Sequence, residues 1–171
     1  MDYLKPIDVV VAAIDETGRS VFVEPGEAVT SYVPGAVEAA YVWGTEEVTA
    51  LPEIGGPLAR VSFPPAGGSR LAIICFPPHS AGKIDMRASA STGAVKLGSS
   101  PAMHRSDSID YEIILQGKID IVLEGGDRRT LRPGSCLVMG GAMHEWENIY
   151  DEPCIYAAVL LGVHGVASQD A

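Results

Sequence analysis

The sequence predicts an all-β protein, a sandwich or barrel built from short strands. Glycine (19 residues) and proline (12 residues) are spread along the chain and divide it into short segments. Within these segments apolar and polar residues alternate with the period of two that places successive side chains on opposite faces of a strand. Turn signals recur about every eight to twelve residues, a spacing typical of sandwiches and barrels.

The first half of the chain predicts two strand pairs and one further strand. Residues 9–24 form one pair around a turn at residues 16–18, and residues 39–51 form a second pair that turns near Gly44. Residues 70–76 (RLAIICF) form a strand by themselves. The polar, Gly/Ser-rich segment 77–102 is long enough to be a functional loop or a lid.

The second half of the chain carries the clearest strand signals. Gly117 and the turn at Gly125-Gly126 separate alternating runs, and Pro133-Gly134 divides another. The predicted strands lie within residues 111–116, 118–124, 128–139, 143–149 and 154–162.

The composition indicates one globular domain with an acidic surface. The chain has 171 residues, 47% of them hydrophobic, which is enough apolar side chain to bury a core. It has 22 acidic and 12 basic residues, for a formal net charge of −10. Nucleic-acid binding needs a basic surface that displaces counterions, and the densest basic group is only Arg128-Arg129. We therefore expect no nucleic-acid partner.

The cysteines and the N-terminus predict a cytoplasmic protein. Cys75, Cys136 and Cys154 are widely spaced, and each lies in an apolar run, so we expect three buried free thiols. The first residues, MDYLKPIDVV, lack the basic and apolar regions of a signal peptide. Because no apolar run approaches the ~20 residues that span a membrane, we expect no membrane contact.

Two motifs in the second half of the chain resemble those of the cupins. Gly98 is followed after five residues by His104, Ser106 stands at the position of the second motif histidine, and Asp110 stands at that of the motif glutamate. Gly117 closes this motif after six further residues. In the second motif Pro133-Gly134 is followed by His144 and Asn148, which match the motif histidine and asparagine.

This resemblance implies a double-stranded β-helix, or jelly-roll, barrel with an N-terminal β-extension. The segments MHRSDSIDY and HEWEN are similar to the motifs of a mostly uncharacterised branch of single-domain cupins. We assign residues 1–69 to the extension, 70–162 to the barrel and 163–171 to a flexible tail. The resemblance also implies a homodimer formed by adding or exchanging edge strands.

The resemblance implies that the motif residues point into the barrel, and strand periodicity then predicts which neighbours share their face. On one strand Asp110, Glu112 and Gln116 share a face, whereas Tyr111, Ile113 and Leu115 face outward, toward the N-terminal strands or a second subunit. The predicted catalytic residues are His104, Asp110, Glu112 and His144. The predicted substrate-binding residues are Ser106, Trp146, Asn148 and Gln116. Alternatives are that Asp110 caps a turn, that Glu112 faces solvent, and that Trp146 is simply part of the core.

A metal site is one interpretation of these residues. Two histidines and a carboxylate can hold iron or zinc, which here would be His104, Asp110 and His144. Asp110 is shorter than the glutamate of ordinary cupins, and Ser106 is a poor ligand in place of a histidine. One divalent ion (iron, zinc or manganese) and no metal at all therefore remain equal alternatives.

The same residues could also catalyse a reaction without a metal. A carboxylate beside an imidazole fixes its tautomer and raises its pKa, so His104 with Asp110, or His144 with Glu112, could remove a proton next to a carbonyl. The sequence thus predicts lyase or isomerase chemistry (dehydration, decarboxylation or isomerisation) on a small organic acid, ketone or phenolic compound. The alternatives are an iron-dependent dioxygenase and a non-catalytic small-molecule binder. We expect His79 and His164 to lie at the surface, although His79 could fold back as a ligand, and Tyr41 and Trp43 to be packing or dimer-interface residues.

Overall fold

The computed structural model describes residues 3–4, 11–14, 20–23, 29–33, 35–51, 53–58, 63–87 and 95–164, and the strands in these ranges confirm the all-β prediction. In chain order they are β1 (Val11–Ile14), β2 (Ser20–Val23), β3 (Val29–Val33), β4 (Val37–Thr45), β5 (Ser69–Phe76), β6 (Val95–Leu97), β7 (His104–Ser106), β8 (Ser108–Gln116), β9 (Ile119–Leu123), β10 (Arg128–Leu131), β11 (Cys136–Gly140), β12 (His144–Glu147) and β13 (Cys154–Gly162).

Two antiparallel sheets carry the body of the fold. The five-stranded sheet has the order β10-β9-β12-β7-β6, and the six-stranded sheet has the order β11-β8-β13-β5-β4-β3. Five of the nine strand pairs in these sheets join strands that are not consecutive in the chain, as in a jelly roll. β1 and β2 form a separate two-stranded sheet.

Alternation along β8 and β13 separates an inner from an outer face of the six-stranded sheet. In β8, Ser108, Asp110, Glu112 and Ile114 are buried, and the residues between them are exposed. β13 repeats this pattern from Cys154 onward. A one-residue slip in register would turn the buried acids out to solvent, so burial of one face also specifies the pairing.

Aromatic stacking joins the two sheets at one end of the interior. Trp146 of β12 stacks on Tyr156 of β13 with ring centroids 5.1 Å apart, and Tyr156 stacks in turn on Phe76 of β5 at 6.0 Å. These rings belong to a buried cluster that also contains Ile114 and Ile121, one from each sheet. Burial of large apolar side chains is the main stabilising contribution here.

The N-terminal strand predictions are confirmed in part. β1 and β2 pair antiparallel, with Val11 opposite Val23, within the predicted pair 9–24, and the predicted turn at 16–18 lies outside the described residues. The predicted turn near Gly44 is wrong, because β4 continues through this residue to Thr45. A Cβ on Gly44 would lie 2.6 Å from the carbonyl oxygen of Ser69, so close approach of β5 explains the glycine.

The N-terminal segment and the predicted loop both contribute to the main sheets. β3 and β4, within the predicted extension 1–69, continue the six-stranded sheet beyond β5. Part of the predicted loop 77–102 is β6, which pairs with β7 at the edge of the five-stranded sheet. Residues 88–94 of that loop and 165–171 of the predicted tail lie outside the described residues.

The cysteine prediction requires one correction. All three thiols are free, and Cys75 and Cys154 are buried, but Cys136 is exposed. Its strand, β11, is an edge strand of the six-stranded sheet, and Cys136 is paired with the outward-facing Ile113.

The described part of the chain contains no helix that is both long and apolar enough to cross a membrane.

Candidate functional site

Two histidines lie side by side on the inner face of the five-stranded sheet. His104 of β7 is directly opposite His144 of β12, and their ring centroids are 4.6 Å apart. Both side chains are buried. Strand pairing therefore brings together two residues that are 40 positions apart in the sequence.

Backbone carbonyl groups set the tautomer of both imidazoles. The Nδ1 atom of His104 lies 2.8 Å from the carbonyl oxygen of Ala102, and that of His144 lies 2.8 Å from the carbonyl oxygen of Ala142. A carbonyl oxygen only accepts, so each Nδ1 carries the proton and each Nε2 keeps its lone pair. The prediction that Asp110 and Glu112 fix the tautomers is therefore wrong, since the backbone already occupies Nδ1.

Burial keeps both rings uncharged at neutral pH. It lowers the pKa of His104, against a smaller opposing effect of the bond to Ala102 and the charge of Glu145. Burial, together with the charge of nearby His104, lowers the pKa of His144 to about 4. The expected rise in imidazole pKa is thus reversed, because desolvation disfavours the charged form.

Two buried carboxyl groups face the interior from β8. Burial raises the pKa of Asp110 to about 6, although hydrogen bonds from Ser108 and Ser106 oppose the rise. Burial and the charge of Asp110 raise the pKa of Glu112 to about 8. Oδ1 of Asp110 and Oε2 of Glu112 are buried and have no hydrogen-bond partner within the described ranges. Glu112 is therefore a neutral carboxylic acid at pH 7. Its burial excludes the alternative that it faces solvent.

Asp110 connects the two sheets. Ser106 belongs to β7 and Ser108 to β8, their hydroxyl oxygens are 2.7 Å apart, and both interact with the Asp110 carboxyl group. Asp110 lies within a strand, opposite Leu160, so the alternative that it caps a turn is wrong. Because Ser106 and His104 are two residues apart on β7, Asp110 is linked to the strand that carries one of the histidines.

Two tyrosines adjoin the acids, and the sequence interpretation assigned neither to the site. Burial, with a smaller effect of Asp110, leaves the pKa of Tyr41 raised to about 12, despite the opposing charge of Arg70. Burial and the charge of Glu112 raise the pKa of Tyr156 well above its usual value. Both phenols keep their protons. Ser108 could have been predicted as a site residue from the sequence, because it stands two residues before Asp110 on the same strand. Tyr41 could not, because its place near the acids depends on the pairing of β4 with β5.

The histidines and Glu112 occupy corresponding positions next to the aromatic stack, one on each sheet. Trp146 stacks on Tyr156, which is paired with Ile114. His144 stands two residues before Trp146 on β12, and Glu112 stands two residues before Ile114 on β8. Each is thus one inward position beyond the aromatic stack. Neutral imidazoles on one wall and a neutral carboxylic acid on the other are suited to proton transfer.

Three of the four predicted substrate-binding residues do not line the site near the histidines and the acids. Trp146 is packed in the apolar cluster, as its alternative interpretation holds. Asn148 is fully buried; its amide donates to the carbonyl oxygens of Phe76 and Glu152 and accepts from the Tyr150 backbone, so the fold itself occupies it. Gln116 is exposed rather than inward-facing, because a bulge opposite Ile155 and Tyr156 breaks the alternation at the end of β8. Ser106 alone adjoins the site.

The remaining histidines lie at the surface. His79 is 61% exposed, and its Nε2 is 2.9 Å from Oδ1 of Asp151, which corrects the alternative that it folds back as a ligand. His164 is exposed. Trp43 donates from Nε1 to the carbonyl oxygen of Ile54, consistent with its predicted packing role.

Comparisons with known proteins identify the fold. No family model matches the chain. Among solved structures, the cupin domain of Schizosaccharomyces pombe Cnp3 covers 90% of this chain and 86% of its own length, with a TM-score of 0.50 and 11% identity. The chain therefore has the fold of a cupin domain.

Short segments of two curated relatives are also similar to segments of this chain. Phomopsin biosynthesis cluster protein C' of Diaporthe leptostromiformis is 44% identical over 54 residues, 32% of this chain and 29% of the relative. The cupin-domain-containing oxidoreductase virC of Hypocrea virens is 38% identical over 47 residues, 28% of this chain and 24% of the relative. The matched segments thus span less than a third of these relatives.

The donor set of this cupin barrel supplies only part of a metal site. The histidine pair fits, because each Nδ1 is held by a carbonyl group and each Nε2 is left as a possible ligand atom. Within the described ranges, however, no three His, Cys, Asp or Glu side chains are grouped so that they could hold a metal ion. Asp110 is engaged by serines instead. The predicted set of His104, Asp110 and His144 therefore does not fit a three-ligand site.

Proposed function

We propose that this cupin catalyses proton transfer in a small carbonyl compound bound inside the barrel, as a lyase or an isomerase. The observation that carries the proposal is that two groups on the inner faces of the sheets, Glu112 and His144, have opposite protonation states at neutral pH. Glu112 holds its proton at neutral pH, with a pKa of about 8, and His144 lacks one, with a pKa of about 4. Environments that separate the pKa values of two groups in this way are typical of acid–base pairs.

His144, with His104 beside it, is the proposed base. Its Nε2 lone pair is fixed by the Nδ1 bond to Ala142, so the ring needs no rotation before it accepts a proton. The substrate carbon next to a carbonyl group supplies that proton. The second imidazole, 4.6 Å away, provides an alternative acceptor for the reverse step of an isomerisation.

Glu112 is the proposed acid. Its buried Oε2 atom is without a hydrogen-bond partner in the described structure, so the carboxyl group has unused capacity toward a ligand. Donation to the carbonyl oxygen would stabilise an enol, and donation to a hydroxyl leaving group would complete a dehydration. Tyr41 and Tyr156, with pKa values raised by burial, would serve as hydrogen-bond donors to the same ligand.

The test follows exchange of carbon-bound hydrogen, which can be measured on many candidate substrates at once. The full chain is incubated in D₂O with a panel of small ketones, hydroxy acids and phenolic compounds, and proton NMR monitors each C–H bond beside a carbonyl. We expect exchange or elimination with at least one compound, reduced about 100-fold or more in Glu112→Gln and His144→Ala. Gln116→Ala, an exposed change on the same strand as Glu112, is the matched control and should equal the wild type.

Ligand binding to this panel without exchange or turnover would contradict the proposal and indicate a non-catalytic binder. Equal rates in wild type and Glu112→Gln would remove Glu112 from the mechanism. Folding of each variant is checked by circular dichroism, so that loss of activity is separated from loss of structure.

An oxidoreductase is the second candidate, and it is favoured by similarity to relatives with that name. The histidine pair offers two Nε2 atoms toward a metal, and the remaining ligands would have to come from a substrate or from water. Elemental analysis of wild type beside His144→Ala, after dialysis against metal-free buffer, distinguishes the candidates. Near one equivalent of iron in wild type only, with oxygen uptake on the same panel, would favour oxidation over proton transfer.

A further inference from the structure

A cavity of about 320 Å³ opens between the edges of the two sheets, and the proposed mechanism uses none of the residues that line it. The lining comes from β9 and β10 of the five-stranded sheet and from β11 of the six-stranded sheet, and β10 and β11 are edge strands. Its volume is that of a pocket for a small ligand. We refer to it as the edge cavity. Most of its wall is apolar and includes Ile121, Leu123, Leu137 and Met139.

Strand register makes the edge cavity a neighbour of the candidate site. Three of its apolar residues are paired directly with site residues on the adjacent strand: Leu137 with Glu112, Met139 with Asp110, and Leu123 with His144. Paired residues project from the same face of a sheet, so these three side chains share the inner face with the acids and the histidine. A ligand that reaches the site therefore has apolar space beside it, toward the edges of the sheets.

A cationic side chain, that of Arg129, also lines this cavity. Arg129 of β10 is paired with Ile121 of the buried cluster, so it stands on the inner face, although its place on an edge strand leaves it exposed. The preceding Arg128 faces the other way and forms ion pairs with Asp120 and Glu147. Within the described ranges Arg129 donates to the carbonyl oxygen of Arg128 and forms no ion pair. Its guanidinium group therefore retains N–H donors for an anionic ligand.

We propose that the substrate is an apolar carbonyl compound with a carboxylate at its far end, whose apolar body lies in the edge cavity and whose carboxylate binds Arg129. This inference rests on the proposed function, because it takes the carbonyl end to be the one on which Glu112 and His144 act. A guanidinium group holds a carboxylate through two parallel N–H bonds, which fixes its orientation as well as its place. The chain has a formal net charge of −10, so most of its surface repels a carboxylate, and Arg129 is a local exception.

Charge also sets the direction in which this ligand lies. Asp127 lines the same cavity, and its backbone oxygen accepts a hydrogen bond from Leu123, the residue paired with His144. Asp127 therefore repels a carboxylate from the histidine end, and Arg129, two residues farther on, attracts it at the other end. Across two strand spacings, Arg129 and His144 are about 12 Å apart at the backbone. Their inward side chains leave a gap that one substituted ring fills.

The experiment measures binding separately from turnover. The probes are para-acetylphenylpropanoate, which combines a methyl ketone, an apolar ring and a carboxylate, and its neutral carboxamide of the same shape. Calorimetry gives the dissociation constant of each probe for the full chain. We expect the acid to bind about 10-fold more tightly than the amide, and Arg129→Gln to remove this preference without weakening the amide. Arg132→Gln makes the same charge change at an exposed position outside the cavity lining, so it is the matched control and should equal the wild type.

Three results would overturn the inference: equal affinity of the wild type for acid and amide, no binding of either probe, or the same loss of preference in Arg132→Gln as in Arg129→Gln. The first two need no substitution, and Arg129 is exposed, so its variant should fold.

Exchange of the methyl ketone hydrogens in D₂O, followed by proton NMR on the same samples, tests the proposed function by itself. Selective binding that depends on Arg129, without exchange, would support this binding site and contradict the proton transfer. Exchange at equal rates and equal affinities for acid and amide would do the reverse.

Discussion

His104 and His144 lie directly opposite each other on neighbouring strands, and the positive charge of one ring would disfavour charge on the other. Their centroids are 4.6 Å apart, and His104 contributes, after burial, to the lowered pKa of His144. Each ring also donates from Nδ1 to a carbonyl group two residues earlier in the chain. The pair is thus held as two neutral bases with the same tautomer.

We expect His104→Gln to raise the pKa of His144 from its value of about 4, because the variant removes the nearby charge and leaves burial in place. The measurement is an imidazole nitrogen NMR titration in metal-free buffer, which also reports the tautomer. Exposed His164, observed in the same spectra, is the internal control and should not respond. If the pKa of His144 stays unchanged, burial alone lowers it.

The contribution of Glu112 to the stability of the wild type should fall as pH rises from about 4.5 to about 8. Glu112 has its usual pKa of 4.5 when unfolded and about 8 when folded, so in this window the folded state holds more protons at this residue, and each rise in pH weakens its contribution. Glu112→Gln removes this dependence and should be more stable than wild type at pH 8, by on the order of 3 kcal/mol. Urea unfolding at several pH values measures the effect. Parallel curves for the two proteins would contradict the raised pKa.

Gly117→Ala should strongly destabilise the barrel. Gly117 has a positive φ of 69°, and a Cβ there would lie 2.1 Å from the carbonyl oxygen of Pro153. Gly126 also has a positive φ, of 86°, but a Cβ there would meet nothing within 4 Å, so Gly126→Ala is the matched control. Backbone conformation alone costs about 1 kcal/mol, and the steric clash should add about 2 kcal/mol or more to the loss at Gly117. Similar urea midpoints for the two variants would show that the turn at Gly117 relaxes easily.

Asn148→Ala should lower the free energy of unfolding by about 2–4 kcal/mol. The substitution leaves the carbonyl oxygens of Phe76 and Glu152 and the backbone NH of Tyr150 without their side-chain partner. Gln116→Ala, at an exposed position, should change stability by less than about 0.5 kcal/mol. Chemical denaturation compares the two. A ligand affinity that falls in Asn148→Ala at unchanged stability would instead support the predicted substrate-binding role.

The sequence by itself determined the β class, the limits of strands such as 154–162 and the shared strand face of Asp110 and Glu112. These properties depend on local alternation and on turn residues, which a single sequence displays. The motif spacing also selects His104 and His144 as a pair, and in the fold their rings are neighbours. Where local patterns misled, as at Gly44 and Gln116, contacts with another strand were the cause.

Only the tertiary structure decided the chemical state of the site. Whether a histidine is charged or a carboxyl group is neutral depends on burial and on partners that are distant in the chain, such as Glu112 beside Tyr156. The same holds for Asp110, which the fold pairs with serines, and for Tyr41, which reaches the acids because β4 lies next to β5. Periodicity gives the direction in which a side chain points. The strand order of the two sheets decides what it meets there.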